Sequence, residues 1–386
     1  MNQKLIRITT VPVSLKTLLK GQLRFMSEHG FEVIGVSSPG EALQQVATNE
    51  GIRTISIEMS RKITPIEDLS ALWRFYKLCK KEKPTIVHSH TPKAGFIGML
   101  AAKLAGVPIR LHTVAGLPLM EATGTKRKIL DFVEKLTYAC ATKVYPISYG
   151  IESFILDNSF TKNDKVKVLA QGSSNGINIQ FFHPEQVSKE KQLQLKNDLG
   201  IASTDFVFVF VGRLVGDKGI NELIKAFQQL NASNTKLLLV GSMESDLDPL
   251  ENDTLKAIDK NPNIIAVGYQ QDVRPYFAIS DALAFPSYRE GFGNAVAQAG
   301  LMELPSIVSN ITGCNEIIVE GENGTIIPVK NTVAILQAMQ KMMDDPIYYK
   351  KLKANARPMI QSRYEQKVVW NAILEEYQDL LQSLKK

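Results

Sequence analysis

Short apolar runs rich in β-branched and aromatic residues alternate along the chain with stretches whose apolar residues recur every three or four positions. That alternation is the signature of βαβ units and a parallel sheet. In the first half it predicts strands near 5–9, 31–36, 54–57, 86–90, 109–114, 144–147 and 166–169, with helices between them such as 14–29, 65–81 and 126–141. The second half repeats the plan. Its strands fall near 206–211, 236–240, 264–267, 282–285, 306–308 and 325–327, and its helices near 218–229, 271–279, 293–302, 333–343 and 347–363. Two such halves predict an α/β protein of two Rossmann-like domains facing a central cleft, since ligands of open α/β sheets bind beyond the carboxyl ends of strands. The first domain spans 1–180 and the second 181–364. A final amphipathic helix, 365–386, is expected to cross back to the first domain. The link runs through Gln171-Gly172-Ser173-Ser174-Asn175-Gly176, then Phe182-His183-Pro184 and a polar, lysine-rich stretch to Leu199. Its small residues suit a hinge.

A chain of 386 residues is long for one core, which agrees with two domains. Its cysteines, Cys79, Cys140 and Cys314, form no CxxC pair. Neither a disulfide framework nor a zinc site is indicated, and a reducing cytoplasm is the simplest reading. Lys4, Arg7, Lys16 and Lys20 interrupt any N-terminal apolar stretch, so no signal peptide is expected. The longest apolar candidate, 94–109, carries Lys103 and is too short to span a bilayer. The sequons at Asn231, Asn310 and Asn323 then read as chance matches.

Charge is uneven. Residues 1–170 hold 24 Lys+Arg against 14 Asp+Glu, and residues 171–386 hold 21 against 25. A basic first half suggests an anionic partner. No nucleic-acid motif or aromatic-interleaved basic run occurs, so no nucleic acid is expected. A membrane surface or a lipid-phosphate acceptor fits better, and Lys126, Arg127 and Lys128 at a helix start are a plausible contact with an anionic membrane. A solvated lysine-rich face is the plain alternative.

Two places carry candidate chemistry. The first follows the strand 206–211: Gly212 and Arg213, then Asp217-Lys218-Gly219 opening a helix. Arg213 and Lys218 could both reach one diphosphate, the arginine as a fork and the lysine as a point charge. The run is not a Walker P-loop, because no Gly-Lys-Ser/Thr follows. The second follows the strand 282–285: Pro286-Ser287, then Arg289-Glu290-Gly291-Phe292-Gly293-Asn294 opening a helix. The Glu290 carboxylate can accept hydrogen bonds from neighbouring sugar hydroxyls. Gly291 and Gly293 would let backbone approach a sugar closely. The N–H groups of Phe292, Gly293 and Asn294 could meet a phosphate at a helix start. Gln298, two turns on, could touch a ribose, and Tyr269 could lie near a base. Helix starts, cations and one acid together suit a diphosphate carrying a hydroxyl-rich group, as in a nucleotide sugar. The plain alternatives are surface cations and an acid complementing a helix dipole.

In the first half, His88 and His90 share one face of a strand end and Ser89 the other. They read as cleft-edge or satisfied structural histidines, since no further ligands are spaced for a metal. His112 is a cleft candidate, with a core position equally open.

The chain resembles a family 4 retaining glycosyltransferase of GT-B fold, close to the branch that builds capsular polysaccharide and lipid-linked oligosaccharide. The stretches that carry the resemblance are ITTVPVSLKTLLKG, IVHSHTPKAGFIGMLAAKLAGVP, VGRLVGDKGINELI, PSYREGFGNAVAQAGLMELPSIVS and GCNEII, spread over nearly the whole length. The resemblance implies sugar transfer from a nucleotide-diphosphate donor, usually UDP-linked, with retained anomeric configuration and without metal or other cofactor. It implies donor binding by the second domain and acceptor binding by the first, with Val11, Ser14, His112 and Ala115 as acceptor-side candidates. Arg213 and Lys218 match its phosphate-binding pair, and Glu290 matches the first acid of its E-x7-E motif. Acceptors in this branch are commonly polyprenyl-diphosphate-linked sugars at the inner membrane face. Two departures stand out. The second acid of E-x7-E is Gln298, and the usual Thr-Val-His-Gly reads Thr113-Val114-Ala115-Gly116. A neutral amide hydrogen bond in place of a charged one costs about 1 kcal/mol. Two alternatives stay open: a nucleotide-sugar 2-epimerase, and a catalytically silent nucleotide-sugar-binding partner subunit.

Overall fold

The computed structural model describes residues 3–385 apart from 63, 121, 231 and 245–247. The chain divides into two compact units. Unit 1 holds residues 1–176 and 366–386, and unit 2 holds residues 177–365. The division falls four residues before the boundary expected at 180/181.

Unit 1 runs β1 (Gln3–Ile8), α1 (Pro12–Leu18), α2 (Gln22–Glu28), β2 (Phe31–Ser37), α3 (Glu41–Glu50), β3 (Arg53–Ser56), α4 (Pro65–Glu82), β4 (Ile86–His90), α5 (Pro92–Ala105), β5 (Ile109–Val114), α6 (Gly124–Cys140), β6 (Lys143–Pro146) and α7 (Tyr149–Asp157). Unit 2 runs α8 (Lys189–Asp198), β7 (Phe206–Val211), α9 (Ile220–Gln229), β8 (Thr235–Val240), α10 (Asn252–Lys260), β9 (Ile264–Ala266), α11 (Arg274–Ala278), β10 (Ala282–Phe285), α12 (Asn294–Leu301), β11 (Ser306–Ser309), β12 (Gly324–Ile327), α13 (Thr332–Asp344) and α14 (Pro346–Tyr364). The last helix, α15 (Gln366–Ser383), belongs to unit 1.

Each unit holds a six-stranded sheet, ordered β3-β2-β1-β4-β5-β6 and β12-β11-β10-β7-β8-β9. All pairings are parallel. This is the doubly wound order, which reverses between β1 and β4 in unit 1 and between β7 and β10 in unit 2. Helices cover both faces of such a sheet, so its central strands are apolar throughout instead of alternating. Strand β7 reads FVFVFV, and Val207 to Phe210 are fully buried.

Sequence and structure differ in places. The predicted strand at 166–169 is absent, and Val166 makes only an isolated bridge to Val144. The predicted helix 14–29 is two helices, broken at Gly21, whose φ is +81°. A Cβ there would lie 2.6 Å from the Trp370 ring of α15, so the break is where the last helix packs. The lysine-rich stretch expected as linker contains α8, capped by the Ser188 hydroxyl, which accepts from the Lys191 N–H. The Asn231 sequon lies outside the described residues, and Asn323 is buried with its amide bonded to Val319 and Ile317.

One face of the unit 1 sheet packs on α1, α2, α3 and α15, through residues such as Leu5, Val33, Leu111, Leu23, Val46, Ile373 and Tyr377. Helix α5 packs closely on the sheet: a Cβ on Gly98 would be 3.2 Å from Ile8, and one on Gly95 would be 2.4 Å from His112. Beneath α15 lies a buried polar cluster. Arg7 is fully buried, and its guanidinium bonds Tyr377 Oη (3.0 Å), Gln22 Oε1 (2.5 Å) and His90 Nε2 (2.8 Å). These partners are neutral, so dipoles alone solvate this buried charge. His88 bridges Tyr377 Oη (2.5 Å) and Thr113 Oγ1 (2.7 Å), stacked on His90.

Burial dictates how unit 1 responds to acid. His88, His90 and His112 are pushed below the usual histidine range, His112 to about 4, chiefly by burial, and for His88 and His90 also by the nearby Arg7 charge. Below pH 6.5 the unfolded chain then binds more protons than the folded one, so stability falls as pH falls. Glu134 opposes this, because burial raises its carboxyl to about 7 and the folded chain holds that proton in the same window. Three groups outweigh one, and unit 1 is expected to lose about 3 kcal/mol between pH 7 and 5. Trp73 and Trp370 are the chain's two tryptophans and both lie in unit 1, so their fluorescence during urea unfolding at the two pH values checks this.

Candidate functional site

In unit 2 the loops leaving β7 and β10, adjacent strands on either side of the order reversal, meet. Lys218 Nζ lies 2.5 Å from Glu290 Oε1, both side chains largely buried. The hydroxyl of fully buried Ser287 lies within hydrogen-bond distance of Glu290 Oε1 (3.2 Å) and the Arg289 carbonyl (3.0 Å), either of which can take its one proton, and accepts from Lys218 Nζ (3.4 Å). The carboxylate is thus held from two sides.

Several contacts lock these loops together. Arg289 grips Asp217 Oδ2 with Nε (3.0 Å) and Nη2 (2.6 Å). The Tyr288 N–H donates to the Asp217 carbonyl (2.8 Å), and the Tyr288 hydroxyl to Glu222 on α9 (2.7 Å). Gly219 makes the approach possible. Its φ is +71°, and a Cβ there would sit 2.1 Å from the Pro286 carbonyl oxygen. Gly241, at the end of β8, plays the same part against the Gly212 carbonyl, 1.7 Å from where its Cβ would be. The β8–α10 loop adds two acids. Asp248 accepts the Asp217 N–H (2.5 Å), and Glu244 pairs with Arg213 Nη1 (3.1 Å).

The sequence expectation for the helix starts needs correction. The N–H groups of Gly216 and Asp217 bond Asp248, and those of Lys218 and Gly219 close the turn on Val215 and Gly216. Those four donors of the turn are taken, whereas the N–H groups of Ile220, Asn221 and Glu222 at the start of α9 have no protein acceptor among the described residues. At α12, the Gly293 N–H bonds the Gly313 carbonyl (2.8 Å) and the Asn294 N–H bonds the Phe292 carbonyl (2.9 Å), so neither is available to a phosphate. The N–H groups of Phe292, Ala295 and Val296 have no protein acceptor among the described residues. Gly293 is small for a reason other than the one expected: a Cβ there would press on the Gly313 carbonyl (3.0 Å) and the Cys314 sulfur (3.2 Å). Phe292 is a buried anchor, edge-on to Tyr364 at 5.1 Å.

Asn294 and Gln298 are four residues apart on α12, the first exposed and the second half-buried, so they share the face that looks outward. Arg213 has Glu244 as its ion-pair partner. Gly212 ends β7, its N–H bonded to Val240. Tyr269 is 75% exposed, following Gly268, whose carbonyl bonds the Gly241 N–H (2.9 Å).

In unit 1, Val11 caps α1, and its carbonyl accepts from Thr9 Oγ1 and the Ser14 N–H, which leaves Ser14 buried. Ala115 follows β5, half-buried. His112 is corrected as an acceptor-side candidate. It is buried under α5, Nδ1 2.8 Å from Ser89 Oγ, because the glycine surface of that helix leaves room for an imidazole. Of the basic run, Lys126 and Lys128 are exposed, whereas Arg127 turns to Asp131 (2.6 Å) and the Phe154 ring.

Sequence reading missed Ser287, Asp248 and Glu244 as parts of the site. Loop acids and a serine carry no periodic signal; Ser287 stands three residues before Glu290, whereas only the fold brings Asp248 and Glu244 to Asp217 and Arg213. Among the described residues, no group of three or more His, Cys, Asp or Glu is placed to hold a metal, and no helix is long and apolar enough to cross a membrane.

A family model described as glycosyl transferases group 1 matches residues 191–359, and one described as glycosyl transferase 4-like matches residues 10–148. The chain is 35% identical over 383 residues to the capsular polysaccharide biosynthesis glycosyltransferase CapM of Staphylococcus aureus, covering 98% of each chain. It is 28% identical over 297 residues to the UDP-Gal:alpha-D-GlcNAc-diphosphoundecaprenol alpha-1,3-galactosyltransferase of Escherichia coli, covering 75% of this chain and 74% of that one. Among solved structures, a glycosyltransferase from Rickettsia africae matches with a TM-score of 0.81 at 20% identity, covering 98% of this chain and 99% of that one. Anabaena HepE in complex with UDP matches with a TM-score of 0.80 at 17% identity, covering 98% and 100%. Those two likenesses establish the fold.

Proposed function

The chain belongs to the family 4 glycosyltransferases of GT-B fold, and from that premise we propose that it moves a hexosyl group from a UDP-sugar to a lipid-diphosphate-linked glycan, retaining anomeric configuration and using no metal. The observation that carries this reading is the 2.5 Å contact between Lys218 and Glu290 at the order reversal of the unit 2 sheet. A cation and an acid side by side fit a sugar diphosphate, which is anionic at one end and rich in hydroxyls at the other.

In this mechanism Lys218 and Arg213 take the diphosphate, with the Phe292, Ala295 and Val296 N–H groups as further donors. Glu290, held by Ser287, exchanges its bond to Lys218 for bonds from the sugar hydroxyls. Gln298 takes the ribose, and Tyr269 lies towards the base. The bond between the anomeric carbon and the β-phosphate oxygen breaks, and the charge growing on that oxygen is met by Lys218. The acceptor hydroxyl attacks on the same face and passes its proton to the departing phosphate oxygen. No protein nucleophile takes part. Acceptor binding falls to unit 1, beyond β1 and β5 at Val11 and Ala115. A role in surface or capsular polysaccharide assembly follows from the relatives named above.

Purified protein given a panel of UDP-sugars and a short-chain polyprenyl-diphosphate-linked sugar tests the proposal. Acceptor-dependent UDP release is expected, with an α-linkage by NMR when the donor is α. An inverted linkage, or preference for GDP or ADP donors, contradicts it. An epimeric UDP-sugar formed without acceptor identifies a 2-epimerase, and tight UDP binding without transfer identifies a silent subunit.

Glu244 gives a further expectation. Its carboxylate occupies Arg213 in the free protein and must leave before a phosphate binds. Glu244→Gln is expected to tighten UDP binding about threefold by calorimetry, the scale of an exposed ion pair.

A further inference from the structure

The buried cluster beneath α15 holds more protons than the fold uses, and Arg7 fixes where they point. A guanidinium only donates, so each group it bonds must accept. Tyr377 Oη accepts from Arg7 Nη1 (3.0 Å) and therefore turns its own proton to His88 Nδ1 (2.5 Å). Burial and the Arg7 charge keep His88 neutral, with a single N–H. That N–H stands at Nε2 and donates to Thr113 Oγ1 (2.7 Å). The Thr113 hydroxyl proton is thus turned out of the cluster, and no protein group accepts it among the described residues. A second branch ends in the same way. His90, also held neutral by burial and Arg7, accepts from Arg7 Nη2 at Nε2 (2.8 Å). Its own proton then lies on Nδ1, a buried atom with no hydrogen-bond partner among the described residues.

The two leftover protons lie side by side. His90 and Thr113 are register partners on β4 and β5, and His88 is the register partner of Arg7 on β1, so all four side chains stand on one face of the sheet. His90 is the last residue of β4 and Thr113 the last but one of β5, which puts both at the carboxyl edge, where open α/β sheets bind ligands. Exposure rises along the relay, from 0% at Arg7 and Tyr377 through 1% at His88 to 6% at Thr113, so the relay opens at Thr113. Behind it, Arg7 bonds Gln22, Tyr377 and His90 and no carboxylate. Two outward donors backed by an uncompensated cation suit an anionic oxygen. We propose that Thr113, with His90 beside it, binds a phosphate oxygen of the acceptor's diphosphate, and that Tyr377 and His88 are positioning residues that hold the Thr113 proton outward. This role rests on the lipid-diphosphate acceptor of the proposed function, and it gives the last helix of the chain a part in acceptor recognition.

The test gives the full chain two acceptors with the same sugar, one on a short-chain polyprenyl diphosphate and one on an uncharged alkyl chain. The ratio of their kcat/KM values measures what the diphosphate contributes, and the wild type is expected to prefer the diphosphate. Thr113→Val keeps the shape of the side chain without the hydroxyl. It should lower the ratio about tenfold, through the acceptor KM more than kcat. Thr113→Ser returns the hydroxyl and should restore the ratio. Tyr377→Phe no longer fixes the His88 proton and should lower the ratio about threefold. Histidine 15N NMR reads the relay without turnover. It should show His88 protonated at Nε2 and His90 at Nδ1 in the wild type, and a second His88 tautomer in Tyr377→Phe. Circular dichroism verifies that each variant is folded. A wild type that uses neither acceptor removes the transferase reading and this role with it. A wild type that transfers, but with a ratio near one or a ratio unchanged in Thr113→Val, overturns this role alone. So does a wild-type His88 protonated at Nδ1.

Discussion

Lys218→Met is expected to lower kcat about a hundredfold, with a smaller rise in KM for the donor, because the lysine acts most strongly where charge grows on the departing phosphate. Steady-state kinetics with saturating acceptor measure this. Glu290→Gln keeps the shape of the side chain but loses the charge that holds the sugar hydroxyls and pairs with Lys218. It is expected to cost at least tenfold in kcat/KM. The two groups touch at 2.5 Å, so their effects should not multiply. The double variant should resemble Lys218→Met more than the product of the singles. Wild-type turnover in both single variants would remove the site assignment.

Gly219→Ala is expected to have the second large effect, through structure alone. The new Cβ would meet the Pro286 carbonyl oxygen at 2.1 Å, and the residue would keep a φ of +71°, which L side chains rarely adopt. Neither atom belongs to a flexible side chain, so the β7 and β10 loops must separate. A cost of about 3 kcal/mol in unit 2 is expected from strain and overpacking together. Amide exchange should reveal where it falls. The Tyr288 N–H, bonded to the Asp217 carbonyl, should lose protection. UDP affinity should fall with it, since Lys218 would no longer reach Glu290. Wild-type exchange and affinity would show that the contact between these loops is not what positions the lysine.

Much of this was legible in the chain because parallel strands buried on both faces write themselves as short apolar runs. All twelve strands coincide with such a run for most of their length, and β3, exposed at its ends, does so through Thr54, Ile55 and Ser56. The strand predicted at 166–169 failed for the converse reason: Val166 and Leu169 are buried, but burial alone does not supply a partner edge. Helix α8 escaped because KEKQLQLKND has almost no apolar stripe, and only Ser188 at its cap announced it. At the site, Glu290 and Lys218 stood out because glycines and strand ends surround them. The uses of the helix starts were not legible, because a sequence does not say which N–H groups are already bonded. Asp248 and Gly313 consume those donors from segments distant in the chain. Similarly, nothing local distinguishes His112 under α5 from a histidine at a strand end. Gly95, on another element, makes the difference.

Calorimetric titration of UDP into the full chain and into Lys218→Met tests the central claim most directly. Diphosphate binding by Lys218 predicts that UDP binds the wild type and that the variant binds it about tenfold more weakly, the scale of one charge-assisted contact. Equal affinity for UDP in the two proteins would contradict it.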